Sequence, residues 1–143
     1  MKKNIFIGLI ALFTLAFTIT SCNKYEDGPK FSLLTKKSRL ANTWVVEEAT
    51  STSTNGTVTS TTSYFSTYTL TIKKDGTYTS TFGNFADNGT WTLGEDKDDI
   101  RFLSSASGST EDSYRILRLK SKELWWKQTQ SNGDVEEVHF KQK

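Results

Sequence analysis

Cysteine, proline and histidine each occur once in this sequence. A single cysteine, Cys22, cannot close an internal disulfide. Nor can it hold zinc, which takes about four protein ligands, or three and a water. A single histidine, His139, excludes His-rich metal sites, and with no free thiol left to partner it, Cys–His nucleophilic chemistry is excluded too. The acidic pairs Glu47-Glu48, Asp98-Asp99 and Glu136-Glu137 are sequence neighbours, which a strand sends to opposite faces, so none is a ready acid/base couple. In "GEDKDD" Asp96 and Asp98 stand two apart but lack the glycine and distal glutamate of a calcium loop, and the segment reads as a charged hairpin tip. No catalytic residue, metal ligand or cofactor site is expected; the chain reads as a non-enzyme.

The one cysteine follows "MKKNIFIGLIALFTLAFTITS". Two lysines, an apolar run over residues 5–17 and a short polar stretch make the three-part layout of a secretory signal peptide. The run is shorter than the roughly 20 apolar residues of a permanent transmembrane helix. Ile19-Thr20-Ser21-Cys22 resembles the bacterial lipobox, with Ile19 where leucine is usual. The resemblance implies diacylglycerol on the Cys22 sulfur, cleavage before it and acylation of the new amino terminus. Residues 1–21 are then the signal peptide, and the membrane is a partner through the anchor. Losing Lys2 and Lys3 takes Lys+Arg from 18 to 16, level with the 16 Asp+Glu. No basic field is left to argue for nucleic acid.

Residues 22–33 are polar, contain Gly28-Pro29 and read as a tether, followed by a short helix around residues 33–40. Glu26-Asp27 weakly resembles a surface-export signal, so the expected location is the cell envelope, on the outer membrane, facing the periplasm or the cell surface. From Asn42 onward proline is absent and the period is two. "TYTLTIK" aligns Tyr68, Leu70 and Ile72; "GTYTSTF" aligns Tyr78 and Phe82; "GTWTL" aligns Trp91 and Leu93. Such alternation of aromatic and β-branched residues marks half-buried strands. Asn55-Gly56, Asp75-Gly76, Asn88-Gly89 and Asn132-Gly133 suit tight hairpin turns. Strands are expected at 43–50, 57–63, 67–73, 77–82, 89–93, 99–104, 113–120, 123–130 and 135–141. The fold class is therefore all-β: an antiparallel meander of eight or nine strands closing into a barrel, which removes exposed edges. The Ser/Thr-rich stretch 50–63 is either a polar hairpin or a mobile flap.

With lipobox, tether and meander together, the chain resembles the small bacterial lipocalin-like lipoproteins. The match rests on "LTKKSRLANTWVV", "LTIKKDGTYT" and "NGTWTL", and spans residues 34–143. Asn42 stands where the Leu-x-Gly-x-Trp pattern has glycine, and asparagine tolerates the left-handed region that the glycine would adopt. The resemblance implies a monomeric binding protein for a small apolar or amphipathic ligand, with Trp44 plugging the barrel floor. Candidate ligand contacts are Trp44, Tyr68, Tyr78, Phe82, Trp91, Phe102 and Trp126. The Arg-x-Tyr pair that holds a fatty-acid carboxylate in intracellular lipid-binding barrels has no counterpart in "VEEVHFKQK". Alternation groups Arg115 with Leu117 and Leu119, and Arg118 with Tyr114 and Ile116; both arginines are read as solvated. Leu124 and Trp126 share a face, which makes Trp126 the buried member of Trp125-Trp126 and Trp125 the exposed or covered one. A filled barrel whose partners contact loops or a spare tryptophan is the rival reading.

Overall fold

Alternating apolar residues bring eight strands onto one interior in the computed structural model, which describes residues 34–143. Cys22, the signal peptide and the tether lie outside the described residues. A five-residue helix, α1 (Lys36–Leu40), precedes β1 (Thr43–Thr52), β2 (Val58–Ser60), β3 (Thr69–Ile72), β4 (Thr77–Phe82), β5 (Phe85–Leu93), β6 (Asp99–Ser104), β7 (Glu111–Leu119), β8 (Glu123–Thr129) and β9 (Val135–Gln142). Every neighbouring pair is antiparallel. β1 pairs with β3 on one side and β9 on the other, so eight strands close into a barrel. The ninth, β2, hydrogen-bonds only the far end of β1, at Thr50–Thr52.

The Ser/Thr-rich stretch is thus a hairpin, and its first residues also form barrel wall. Thr50, Ser51 and Thr52 pair with Glu137, Glu136 and Val135 of β9. After β2 the chain returns through turns, with the Thr62 hydroxyl accepting from the Ala49 amide (2.9 Å). Gly56, Gly76 and Gly133 take positive φ in the expected turns. Asn88-Gly89 does not form a turn. It lies inside β5, Gly89 facing Tyr78 of β4 and Ser104 of β6. A Cβ on Gly89 would stand 2.0 Å from the Leu103 carbonyl oxygen, so the glycine is there for close approach of β6. The β4–β5 turn is Gly83-Asn84 instead.

Two bulges reset the inside–outside phase. In β1 the register shifts between Val46 and Glu48, leaving Glu47 and Glu48 both exposed outside rather than on opposite faces. In β7 it shifts between Ile116 and Arg118. Ile116 and Leu119 are therefore both buried. Arg118 bonds Glu123 on the outer surface (2.7 Å) and does not share a face with Ile116. An inserted residue does this because it adds one to a period of two.

α1 closes one end. Thr35 caps it by accepting from the Ser38 amide (3.1 Å). Arg39 donates to the Leu119 carbonyl (3.1 Å), and Lys36 pairs with Asp98 (3.2 Å). Asp98 also reaches Arg115 at 3.5 Å, so the "GEDKDD" tip fastens α1 to the barrel. Asn42 is not in the left-handed region; its amide donates to the Ser121 carbonyl (3.3 Å) and its oxygen accepts from the Thr43 amide (2.9 Å). Trp44 is fully buried and its indole N–H donates to the Leu40 carbonyl (2.9 Å). With Ile72, Trp91, Ile100, Leu119 and Leu124 it makes a solid floor. Among the described residues no helix is long and apolar enough to cross a membrane.

Candidate functional site at the barrel mouth

The interior changes character along the barrel axis. Toward the floor the inward side chains are aliphatic or indole. At the opposite end, where β4–β5, β6–β7 and β8–β9 turn, they are Tyr68, Tyr78, Ser80, Asp87, Tyr114, Asp112 and Glu136. Two lobes open there, with volumes of about 160 and 120 Å³. Tyr68, Tyr114 and Trp126 line both; Asp112 belongs to the larger lobe and Glu136 to the smaller.

The rings pack on one another. Tyr114 stacks on Trp126 with centroids 4.6 Å apart, and Phe102 meets Tyr78 edge-on at 4.9 Å. Tyr78 donates to Asp87 (2.6 Å), which accepts a second bond from Ser104 through its other oxygen (2.6 Å). Burial pulls the Asp87 carboxyl upward, but the bonds from Ser104 and Tyr78 outweigh it and hold the carboxyl below its usual range. Glu136 moves the other way: burial raises it, against one bond from Gln130. Burial pushes the Tyr68 hydroxyl up to about 12, and it raises Tyr78 and Tyr114 as well, Tyr78 with help from Asp87 and Tyr114 with help from Asp112. The phenols are thus neutral hydrogen-bonding groups at neutral pH.

Of the seven candidate contacts, Tyr68, Tyr78, Phe102 and Trp126 line the lobes. Trp44 and Trp91 do not; both are floor, the Trp91 indole donating to the Lys73 carbonyl (2.8 Å). Phe82 lies at the rim, 4.9 Å from Tyr64 and 6.3 Å from Phe65. Tyr114, Asp87, Asp112 and Glu136 were not among the candidates. Asp87 and Asp112 lie one or two residues past an expected strand end, in phase with Trp91 and Tyr114, whereas Tyr114 and Glu136 lie inside expected strands, Glu136 in phase with Val138.

Trp126 is 5 % exposed and Trp125 lies on the outer face, as alternation requires. Trp125 is not spare, however. Arg118 sits 4.4 Å over its ring and His139 stacks on it at 4.0 Å. His139 in turn bonds Glu137 at 2.7 Å and lies 3.4 Å from Glu48, so it is held in a ladder rather than left to solvent.

No family model matches the chain, and no curated protein matches it. Among solved structures, a crystal structure of a DUF4847 family protein from Bacteroides vulgatus ATCC 8482 is similar over 71% of this chain and 92% of that one, at 14% identity and a TM-score of 0.46. The strand pairing itself establishes the barrel.

Proposed function

We propose that this chain is a lipid-anchored binding protein of the bacterial cell envelope, a lipocalin-like lipoprotein that holds one small amphipathic molecule in the mouth of its barrel. The observation that carries the reading is the pair of aromatic lobes above a filled floor. A cavity of about 150 Å³ accommodates a benzene-sized molecule, whereas drug-sized ligands need about 300 Å³ or more. The ligand is therefore about one ring in size, or slender enough to bend across both lobes. The lipobox at Cys22 supports the anchor.

Titration with benzyl alcohol, one ring with one polar group, tests the reading through intrinsic fluorescence. The expected result is a saturable change that Trp126→Phe abolishes. No change would sink the ligand reading in favour of an interaction lipoprotein, which the solid lower half of the barrel favours. The anchor is tested separately: Cys22→Ser should leave unacylated protein, retained as a precursor or released as soluble material, and unchanged membrane association with no loss of acyl mass would refute it.

A further inference from the structure

Resting on the reading of the mouth as a ligand site, we propose that the ligand is a small organic cation, a protonated or quaternary amine carried on an apolar group of about one ring. The lobes combine aromatic walls with three carboxylates that no cation neutralises, Asp87 and Asp112 in the larger and Glu136 in the smaller. The Asp87 carboxylate is engaged by Tyr78 and Ser104, but the Asp112 carboxylate, exposed at the rim, has no hydrogen bond or ion pair within the described residues, and the Glu136 carboxylate has only the bond from Gln130 at 3.3 Å. Among the described residues no Lys, Arg or His lines either lobe. The basic residues of the strands lie outside, where Arg101 pairs with Glu111, Arg115 with Asp98 and Asp99, and Lys141 with Glu47.

An anionic head group would find hydroxyl donors from the phenols and Ser80 but no cation, and it would face the repulsion of the carboxylates. A cation gains the carboxylate charge and the negative faces of Tyr68, Tyr114 and Trp126, the arrangement that recognises ammonium groups elsewhere. The Tyr114 hydroxyl lies within electrostatic reach of both Asp112 and Glu136, so the two lobes share one field. A metal ion is a poorer match: no group of three or more His, Cys, Asp or Glu among the described residues converges to hold one.

Calorimetric titration of the protein with benzylammonium, benzyl alcohol and benzoate, which share a ring and differ in charge, tests the inference. Benzylammonium should bind about tenfold more tightly than benzyl alcohol, and benzoate should not bind. Asp112→Asn and Glu136→Gln should each weaken benzylammonium several-fold and leave benzyl alcohol unchanged. In the unaltered protein, added salt should weaken benzylammonium alone. Equal affinity for benzylammonium and benzyl alcohol, or preference for benzoate, would overturn the cation and leave a ligand site standing. Silence from all three compounds would overturn the site together with the cation.

Discussion

Two adjacent residues, Trp125 and Trp126, show how much one step along a strand decides. The first covers an outer ladder between Arg118 and His139, and the second fills the space between Phe102, Tyr114 and Phe140. Trp126→Ala should cost roughly 3–5 kcal/mol in denaturant melts, as should Trp44→Ala at the floor. Trp125→Ala removes one ring stack and one cation–π contact, and should cost roughly 1–2 kcal/mol. Equal losses at 125 and 126 would contradict the face assignment. The phenols make a second residue-scale prediction. Tyr68 is raised from 10.0 to about 12, and Tyr78 and Tyr114 are raised too, so the folded state holds their protons longer than the unfolded chain does. Unfolded phenols release protons from about pH 10, and stability should be undiminished below that point and fall as pH rises through 10 toward 12. Denaturant midpoints at rising pH, read with tyrosinate absorbance, measure it; midpoints that stay flat above pH 10 would contradict the burial.

At the scale of elements, the alternation of Tyr68, Leu70 and Ile72, or of Ile100 and Phe102, was enough to place strands, because one face meets the core and the other meets water. Two strands, β4 and β6, run over the very residues expected. What the pattern could not carry were the features that break a period of two. The bulges before Glu48 and Arg118 insert a residue with no distinctive chemistry, and so Arg118 was grouped with the wrong neighbours. Asn88-Gly89 has turn composition, yet its glycine answers to the Leu103 carbonyl on the next strand, a contact that no local window contains. Cutting β5 at that false turn and β7 at Ser113 also hid Asp87 and Asp112; Tyr68, Tyr78, Phe102 and Trp126 were legible as the aromatic part of the mouth, while Tyr114 and Glu136 stood inside expected strands without being singled out. Gly89→Ala should destabilise the barrel by roughly 1–3 kcal/mol, since backbone must shift to admit the methyl group. A melting temperature unchanged from the parent protein would mean that β5 and β6 do not approach as closely as described.

The whole molecule divides its interior between two tasks. The floor, built on Trp44, Trp91 and Leu40 and latched by Arg39 and Lys36 of α1, holds the barrel shut without proline, disulfide or metal among the described residues. The mouth, built on the same strands a few residues further along, keeps space and negative charge. That division is the central claim, and the four indole N–H signals of a two-dimensional nitrogen–proton NMR spectrum test it most directly. Assigned by single Trp→Phe variants and followed during a benzylammonium titration, the Trp126 signal should shift with saturation. Those of Trp44 and Trp91, bonded to the Leu40 and Lys73 carbonyls, should stay in place, as should that of Trp125 on the outer face. Movement of Trp44 or Trp91 in step with Trp126, or no movement of any of the four, would contradict a filled floor beneath a receptive mouth.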